Sequence, residues 1–330
     1  MTTTSVERRT VLLGLLGRRI VQIPVVLLVV SILTFWLLQV VPGNPGRNAL
    51  GQYATVAQVR AWNHTNGLDG SLVGRYLHWI GGFFAGDWGQ SLVYSTAVKE
   101  LVIGRLGNSL LLGLYAFVIM VPVAIALGSA QAYREGRRSD RAITVGLLSL
   151  SAVPEFVVGV VLLLVFAVWL RVVPVQSAAD ASGDFLDRLR VMTLPAVVLA
   201  LGYLAVLTRM VRSGTSEAIT SQFHRTAVLK GLSPAAVVRR HVIRNALVPT
   251  LSVLGIYLGT LLGGSVIVET LFGYPGLGAL LVTAAERKDV LLLEGGVMIT
   301  GAVSLLALLL TDICFVLMDP RIRFDARESR

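Results

Sequence analysis

Long apolar runs are the feature of this sequence that most restricts how it can fold. A helix that crosses the hydrocarbon core of a bilayer, about 30 Å thick, needs about 20 mostly apolar residues. Six segments of the 330-residue chain meet that requirement: residues 20–41, 108–132, 142–170, 191–211, 247–268 and 295–318. Only 15% of the residues are charged, against about 25% in soluble domains. The sequence therefore predicts an all-α integral membrane protein with six transmembrane helices, and it excludes a disordered chain, a coiled coil and an ordinary cytosolic enzyme.

The distribution of charge predicts how these helices are oriented. The formal net charge is +10, which in a soluble protein would suggest nucleic acid binding. Here 19 of the 29 Lys and Arg residues lie in the two tails and in the loops after the second and fourth segments, together with seven acids. The other loops carry ten basic residues and ten acids. Because loops rich in Lys and Arg stay in the cytoplasm, residues 1–19 and 319–330 are predicted to be cytoplasmic, and no nucleic acid partner is expected.

The predicted extracytoplasmic loop between the first two helices, residues 42–107, is long and rich in Gly, Trp and Tyr. Its length favours a small folded lid over a bare connection. Trp62, Trp79 and Trp88 are compatible with two interpretations, aromatic anchoring at the membrane surface and a docking surface for an external partner. Composition does not decide between them. A second extracytoplasmic loop is predicted over residues 269–294.

The predicted cytoplasmic loop between the fourth and fifth helices, residues 212–246, has the pattern of two helices separated by a glycine. A helix-compatible stretch begins at Ser216 and stops at Gly231, a usual C-terminal cap. Ser233 and Pro234 then restart a helix as N-cap and first residue. An amphipathic segment lying on anionic lipid is one interpretation. The fixed glycine break favours the other, a knob that fits a cleft in a partner protein.

Small residues recur in the fifth predicted helix. Gly255, Gly259 and Gly263 are spaced four residues apart, which lets two membrane helices approach closely. Helix packing is one interpretation of this spacing, and lining a translocation path at a subunit interface is the other.

Two carboxylates fall within predicted membrane helices. Glu155 follows Pro154 in the third helix, which is expected to tilt or kink at that proline, so its side chain is predicted to face a pore or pair within the bundle. Asp312 lies about two turns from the inner end of the sixth helix, where an arginine is expected to pair with it. Intramembrane carboxylates are usually functional, so a proton-coupled carrier is an alternative, although only two such groups are present.

Motifs for catalysis and cofactor binding are missing from the sequence. There is no G-x-x-x-x-G-K-[ST] phosphate loop, no H-E-x-x-H and no C-x-x-C. The single cysteine, Cys314, and four scattered histidines offer no metal site. Neither catalytic residues nor a cofactor or metal are expected.

The cytoplasmic loop also carries a family resemblance. Residues 225–233, RTAVLKGLS, and 239–250, RRHVIRNALVPT, resemble the "EAA" loop of ABC importer permeases. The ending H-x-x-R-N, from His241 to Asn245, is similar to the B-type permeases of the dipeptide, oligopeptide and nickel group. Arg225 stands where the glutamate that names the loop is found, as is common in this branch.

Further motifs extend the resemblance over most of the chain. They are VPGNPG (41–46, with Asn44 in place of a common Asp), GDWGQSL (86–92), SAVPEFVVG (151–159), IVETLFGYPGLGALL (267–281) and TDICFVLMDPRIRF (311–324). Residues 1–19 and much of 49–77 lie outside it.

The resemblance implies a type I ABC importer permease fold in a bacterial or archaeal plasma membrane. A C-type permease would complete the translocation path, two ATPase subunits would use the ATP, and an external solute-binding protein would deliver a peptide-like substrate. Nickel chelates, glutathione or another small peptide-like solute are the alternative cargo. The resemblance places ATPase coupling on nine residues: Arg225, Thr226, Ala227, Gly231, Leu232, Ser233, His241, Arg244 and Asn245.

Overall fold

The computed structural model describes residues 3–40, 44–51, 53–65, 70–177, 185–222, 226, 229, 257, 259 and 266–318. Regular structure in the described part of the chain is helical. The helices are α1 (Thr3–Val40), α2 (Pro45–Leu50), α3 (Val56–Thr65), α4 (Leu72–Ala85), α5 (Val98–Tyr133), α6 (Arg138–Ala152), α7 (Glu155–Leu163), α8 (Phe185–Thr220), α9 (Val266–Leu271), α10 (Leu277–Glu286) and α11 (Val290–Met318). A π-helical segment, Leu164–Trp169, continues α7.

Four described helices contain stretches long and apolar enough to cross a membrane: Leu16–Leu38, Val98–Tyr133, Asp187–Thr220 and Val290–Cys314. A fifth candidate is the bent pair Arg138–Ala152 and Glu155–Trp169. Residues 247–256, 258 and 260–265, which hold most of the predicted fifth span, lie outside the described residues. Large apolar side chains on α1, including Ile20, Leu33 and Leu37, are exposed, as expected for a surface that faces lipid.

The predicted third span is broken at its proline. The axes of α6 and α7 meet at 99°, which is a sharper change than a tilted or kinked span. Val153, at φ −85° and ψ 130°, is extended, because the ring of Pro154 excludes the helical conformation at the preceding residue and offers no N–H to continue the hydrogen-bond ladder.

The core of the bundle is the contact between α5 and α8, which run side by side in the same direction. The hydroxyls of Tyr115 and Thr193 are 3.2 Å apart toward one end of the pair, and Gly128 lies against the Thr208 carbonyl toward the other. Leu112, Met120, Leu199 and Leu207 from these helices are buried together with Phe272, which follows α9.

Helices α1 and α11 pack antiparallel on the side of this core. Phe35 packs with Met298, and Arg19 pairs with Asp312 at the opposite end of both helices. Both helices extend beyond the spans predicted from apolar residues, as do α5 and α8, because polar turns continue the same helix after the apolar run ends.

The residues of the 42–107 loop that the structure describes are folded, as its length predicts. Helices α2, α3 and α4 occupy much of it, and α5 begins at Val98, inside the predicted loop. Gly86 ends α4 in the left-handed conformation at φ 85°, which glycine adopts without steric cost. Trp79 and Trp88 are buried at 8% and 9% exposure. Trp79 packs with Phe35 of α1 and Met298 of α11, and Trp88 packs with residues of α5, α10 and α11, so these two indoles attach the loop to the helices in this chain.

The start of the predicted cytoplasmic loop differs from expectation. Ser216 was expected to begin a new helix, but α8 continues without interruption through Thr220. The apolar run ends near Val211, and burial of Thr215 and Ala218 shows that α8 still packs against the bundle for two further turns.

Candidate functional site

One of the nine predicted coupling residues lies in the described part of the chain. Thr226 is exposed, and its Oγ1 donates a hydrogen bond of 3.0 Å to the carbonyl of Gln222, one turn earlier. The other eight lie outside the described residues: Arg225, Ala227, Gly231, Leu232, Ser233, His241, Arg244 and Asn245. Their role therefore stays a prediction.

A polar network holds the end of α8 that leads toward this segment. Arg212 Nη2 lies 2.9 Å from Asp140 Oδ2, and the same carboxylate oxygen accepts the backbone N–H of Gly136 at 3.1 Å. Gln131 Nε2 donates to Thr144 Oγ1 at 2.7 Å. The network joins the turn between α5 and α6 to α8, so these three helices are fixed to one another at this end.

Sequence reasoning counted Arg212 and Asp140 only as charges in loops. The available signal was an arginine and an aspartate that each directly follow or precede an apolar run, but their separation of 72 residues hides the pairing. Asp140 is 4% exposed, and a buried carboxylate needs such a partner.

Glu155 is the first residue of α7, immediately after the break in the third span. It is partly buried, and its Oε1 has no hydrogen-bond partner among the described residues. Its carboxyl carbon lies 3.7 Å from the position that a Cβ would occupy at Gly202 on α8. The absence of a side chain at Gly202 thus leaves the space into which the Glu155 carboxyl points.

Gly259 is described, whereas Gly255 and Gly263 lie outside the described residues. Gly259 is buried and its carbonyl accepts a long hydrogen bond, 3.5 Å, from Ser304 Oγ of α11. A Cβ at Gly259 would lie 3.5 Å from the Ser304 carbonyl. At this one position the small residue faces a neighbouring helix of the same chain.

Asp312 is paired, as its position near the end of the sixth span predicts. Arg19 Nε lies 2.8 Å from Asp312 Oδ2, and Arg19 Nη2 contacts the same oxygen. Both side chains are about three-quarters buried, at 23% and 27% exposure. The pair ties α1 to α11 across 293 residues of sequence.

Glu269 is a buried carboxylate that sequence reasoning did not single out. It is fully buried and lies on α9, where the 266–281 segment turns back on itself. Ser109 Oγ donates to Glu269 Oε1 at 2.6 Å, and the backbone N–H of Ala279 donates to Oε2 at 3.0 Å. Gly276 packs so closely on the carboxyl that a Cβ there would overlap it.

The surrounding contacts attach this turn to α5. Asn108 Nδ2 donates to the Pro275 carbonyl at 2.8 Å, and Tyr274 Oη donates to the Asn108 carbonyl at 2.9 Å. Ser109 Oγ also accepts the Leu277 N–H at 2.8 Å. We call Asn108, Ser109, Glu269 and Tyr274 the α5–α9 hub.

Burial controls the acidity of the groups in the hub. Burial raises the pKa of Glu269, although the hydrogen bonds from Ser109 and from backbone N–H groups act in the opposite direction. Burial, and next the charge of Glu269, raise the pKa of Tyr274 to about 12. Tyr274 is therefore a neutral donor throughout the physiological range.

A second buried acid, Asp289, fixes the segment after α4 at the same end of the molecule. Asp289 Oδ2 accepts Ser91 Oγ at 2.6 Å and the Val93 N–H at 3.1 Å. Its Oδ1 accepts the Leu292 N–H at 3.3 Å, in the first turn of α11. The 86–97 segment is thereby attached to the start of α11, 198 residues away from Ser91 in sequence.

No group of three or more His, Cys, Asp or Glu side chains suited to a metal ion occurs among the residues that the structure describes. Glu269 and Asp289 instead accept hydrogen bonds from hydroxyls and backbone N–H groups, and Asp140 and Asp312 pair with arginine. These contacts stabilise the packing of the helices and turns that they connect.

Comparison with known proteins gives two family matches that together cover most of the chain. Residues 120–324 match the family described as binding-protein-dependent transport system inner membrane component. Residues 12–105 match the corresponding N-terminal family of membrane components of such systems.

Curated relatives are similar along nearly their whole length. A di/tripeptide transport system permease of Pseudomonas aeruginosa is 34% identical over 315 residues, covering 89% of this chain and 94% of the relative. A probable peptide ABC transporter permease of Sinorhizobium fredii is 32% identical, covering 93% and 98%. An oligopeptide transport system permease of Bacillus subtilis is 32% identical, covering 94% and 99%.

Proposed function

The chain belongs to the family of binding-protein-dependent transport system inner membrane components, and we propose that it is the B-type permease subunit of an ATP-driven peptide importer. The observation that carries this proposal is similarity over about nine-tenths of the chain to permeases named for di- and tripeptide, peptide and oligopeptide transport. ATP hydrolysis belongs to partner subunits, because this sequence has no phosphate-binding loop.

The proposed assembly contains four further subunits of three kinds. A C-type permease completes the translocation path, two ATPases contact the cytoplasmic loop, and an external binding protein delivers the peptide. The chain spans the membrane six times with both termini in the cytoplasm, which the positive-inside rule supports. Nickel chelates, glutathione and other peptide-like solutes are the alternative cargo within the same class.

In such an importer, movement of the ATPase subunits reaches the membrane helices through those helices that are fixed to the coupling segment. We propose that the nine coupling residues receive the ATPase movement and that α8 carries it into the bundle. The continuity of α8 through Thr220 and the network of Arg212, Asp140 and Gln131 support this route, since a rigid helix pair shifts as one body. Glu155, Gly255, Gly259 and Gly263 are proposed to line the path or to pack helices beside it.

Uptake of a labelled dipeptide into cells that lack their own peptide importers tests this function. The chain is expressed with its C-type permease, ATPases and binding protein, and uptake is expected to need all of them and to stop when ATP is depleted. Gly231→Pro is expected to leave membrane insertion intact and to abolish uptake, because a proline breaks the predicted helix end that contacts the ATPase.

Gly231→Ala is the matched comparison at the same position, and it is expected to lose less uptake than Gly231→Pro because alanine does not break a helix. Uptake that survives ATP depletion but collapses with an uncoupler would favour the proton-coupled carrier instead. Unchanged uptake by the Gly231→Pro variant would contradict a coupling role for this segment.

A further inference from the structure

A cavity of about 960 Å³ lies beside α4, at the end of the molecule that holds the Asp289 joint. Its walls come from α3, α4, the 86–97 segment and the start of α11. Trp62, Trp79 and Trp88 contribute aromatic surface. Its size is that of small-molecule sites, which run to about 1,000 Å³.

Glu294 and Arg75 line this cavity without forming an ion pair with each other. A third charged residue of the lining, Asp87, is exposed, and its Oδ1 already accepts the Gly89 N–H at 3.1 Å. Glu294, in the first turns of α11, is 2% exposed, and its Oε1 has no hydrogen-bond partner among the described residues. Arg75 on α4 has a buried Nε that also has no partner among them. The guanidinium is near enough for its charge to act on the Glu294 carboxyl, yet the ion pairs within 4.0 Å in the described part of the chain do not include this one.

A buried carboxylate without a partner is costly and favours its neutral form, so Glu294 needs a ligand cation beside it to ionise. The partly buried guanidinium of Arg75, whose Nε lacks a partner among the described residues, favours a ligand anion. A carboxylate satisfies the guanidinium, and an ammonium group satisfies Glu294. An anionic phosphate would be repelled by Glu294, and a simple cation by Arg75. A single ligand that carries both charges satisfies both side chains at once.

The cavity is built before any ligand enters. Asp289 holds the 86–97 wall through Ser91 and Val93. The Trp88 indole Nε1 donates to the Phe83 carbonyl at 3.0 Å, and its ring stacks on Phe83 with centroids 4.9 Å apart. A wall fixed in this way loses little conformational entropy when a ligand binds.

We propose that this cavity binds a zwitterion, a free amino acid or short peptide, with its ammonium group on Glu294 and its carboxylate on Arg75. The inference rests on the proposed function in one respect, that the ligand belongs to the class that the importer carries. The site lies within this one chain, apart from the predicted glycine-lined path.

Binding is measured with the full-length chain in lipid nanodiscs by quenching of tryptophan fluorescence, because three tryptophans line the cavity. The probes are alanyl-alanine, its N-acetyl derivative and its C-terminal amide. Wild type is expected to bind alanyl-alanine saturably and at least about tenfold more tightly than either derivative, since one charge-assisted hydrogen bond corresponds to roughly that factor.

Two variants assign each charge to its partner. Glu294→Gln is expected to weaken binding of alanyl-alanine about tenfold and to abolish discrimination against the N-acetyl derivative. Arg75→Gln is expected to do the same for the C-terminal amide, and Arg75→Lys is expected to recover part of the affinity. Glu286→Gln, an exposed acid on α10 that does not line the cavity, is the control and is expected to bind like wild type.

Absence of saturable binding by wild type would overturn the proposal, as would equal affinity for the three probes or unchanged selectivity in both variants. Failure of this inference is distinct from failure of the proposed function. Dipeptide uptake by the assembled importer without binding to the cavity would reject the cavity alone. Binding to the cavity without any ATP-dependent uptake would reject the importer alone.

Discussion

Glu269 combines full burial with contacts to Ser109, which is 160 residues away in sequence, and to the segment that follows α9. Its Oε1 accepts the Ser109 hydroxyl, its Oε2 accepts the Ala279 N–H, and glycines at 276 and 278 make room for the carboxyl. Desolvation of a carboxylate opposes burial of its charged form, and hydrogen bonds to it favour that form. For Glu269 the desolvation is the larger effect, so its pKa is raised.

This shift predicts how stability depends on pH. The pKa of Glu269 is higher in the folded protein than its ordinary value of 4.5, so the folded state binds more protons above pH 4.5. Stability from this group therefore falls as pH rises from 4.5 to the raised folded value, and it is constant outside that window. Glu269→Gln is expected to remove this part of the pH dependence.

The measurement is the melting temperature of the purified chain in nanodiscs between pH 4 and pH 8 at constant ionic strength. Wild type is expected to lose stability relative to Glu269→Gln as the pH increases through the window. The exposed Glu286→Gln variant should follow the wild-type curve. Parallel curves for wild type and Glu269→Gln would contradict a raised pKa at this position.

Helices α5 and α8 meet where a single residue has no side chain. A Cβ at Gly128 would lie 2.7 Å from the Thr208 carbonyl oxygen, 2.8 Å from Val211 Cβ and 2.9 Å from the Arg212 nitrogen. These are backbone and branched atoms that cannot rotate away. The close approach also sets the distance at which Arg212 reaches Asp140, so helix packing and the polar network depend on the same position.

Gly128→Ala is expected to destabilise the folded chain by about 1–3 kcal/mol, because extra atoms in a well-packed contact force helices apart. Gly104→Ala is the matched control on the same helix, since no atom lies within 4 Å of its added Cβ, and alanine there is expected to be neutral or to stabilise by up to ~1 kcal/mol. Unfolding in mixed micelles compares the two. Equal stability of the two variants would contradict the tight contact.

An ion pair between Arg19 and Asp312 joins helices α1 and α11. Neutralising only one of these residues leaves the other charge without this partner. Arg19→Gln and Asp312→Asn are each expected to cost about 1–3 kcal/mol, between the values for surface and buried pairs. The double variant removes both charges and is expected to recover most of that loss.

Peptide uptake, normalised to folded protein, is expected to survive in the double variant. A double variant that folds but does not transport would support the alternative in which Asp312 carries protons. Melting temperature and normalised uptake are therefore measured on the same four proteins.

Across the whole molecule, the buried acids gather at two ends. Glu269 and Asp289 fix turns at one end, and Asp140 with Arg212 fixes helices at the other. Between them the described core is apolar, with Leu112, Met120 and Leu199 nearly inaccessible. This division into two polar ends and an apolar middle is the pattern expected of a bundle that spans a bilayer.

The proposed orientation predicts which end reacts with an impermeant thiol reagent in intact cells. In a Cys314→Ser background, Tyr53→Cys is expected to react from outside, because Tyr53 is 92% exposed in the predicted extracytoplasmic loop. Leu229→Cys, whose residue is 87% exposed beyond α8, should react only after the membrane is permeabilised. Labelling of both variants from the same side would contradict the orientation.

Several features of the fold follow from local sequence alone. A tilt or kink at Pro154 was expected because a proline restricts its own φ and the residue before it, but the structure has a break of 99° there. The pairing of Asp312 was expected because carboxylates near the end of a span find arginines. The burial of Trp79 and Trp88 was missed, since composition does not tell an anchored indole from a packed one.

Some residues of the candidate site were likewise identified from the sequence, and others only from the structure. Thr226 and Gly259 were identified from motifs and spacing, whereas the α5–α9 hub and the Arg75–Glu294 cavity were not. Nothing in the local sequence of Glu294 distinguishes it from any other acid in a loop. Its proposed role comes from sharing a cavity with Arg75, which lies more than 200 residues earlier in the chain.

The sequence by itself determined that the chain is a helical membrane protein and which family it belongs to. These properties depend on the length of apolar segments, on the distribution of charge and on motifs, all of which extend over tens of residues. Only the tertiary structure decided which polar side chains meet. Ser109 is 160 residues from Glu269, Ser91 is 198 from Asp289, and Arg19 is 293 from Asp312. A hydrogen bond depends on atomic positions to within a few tenths of an ångström, and those positions are set by how the helices pack against one another.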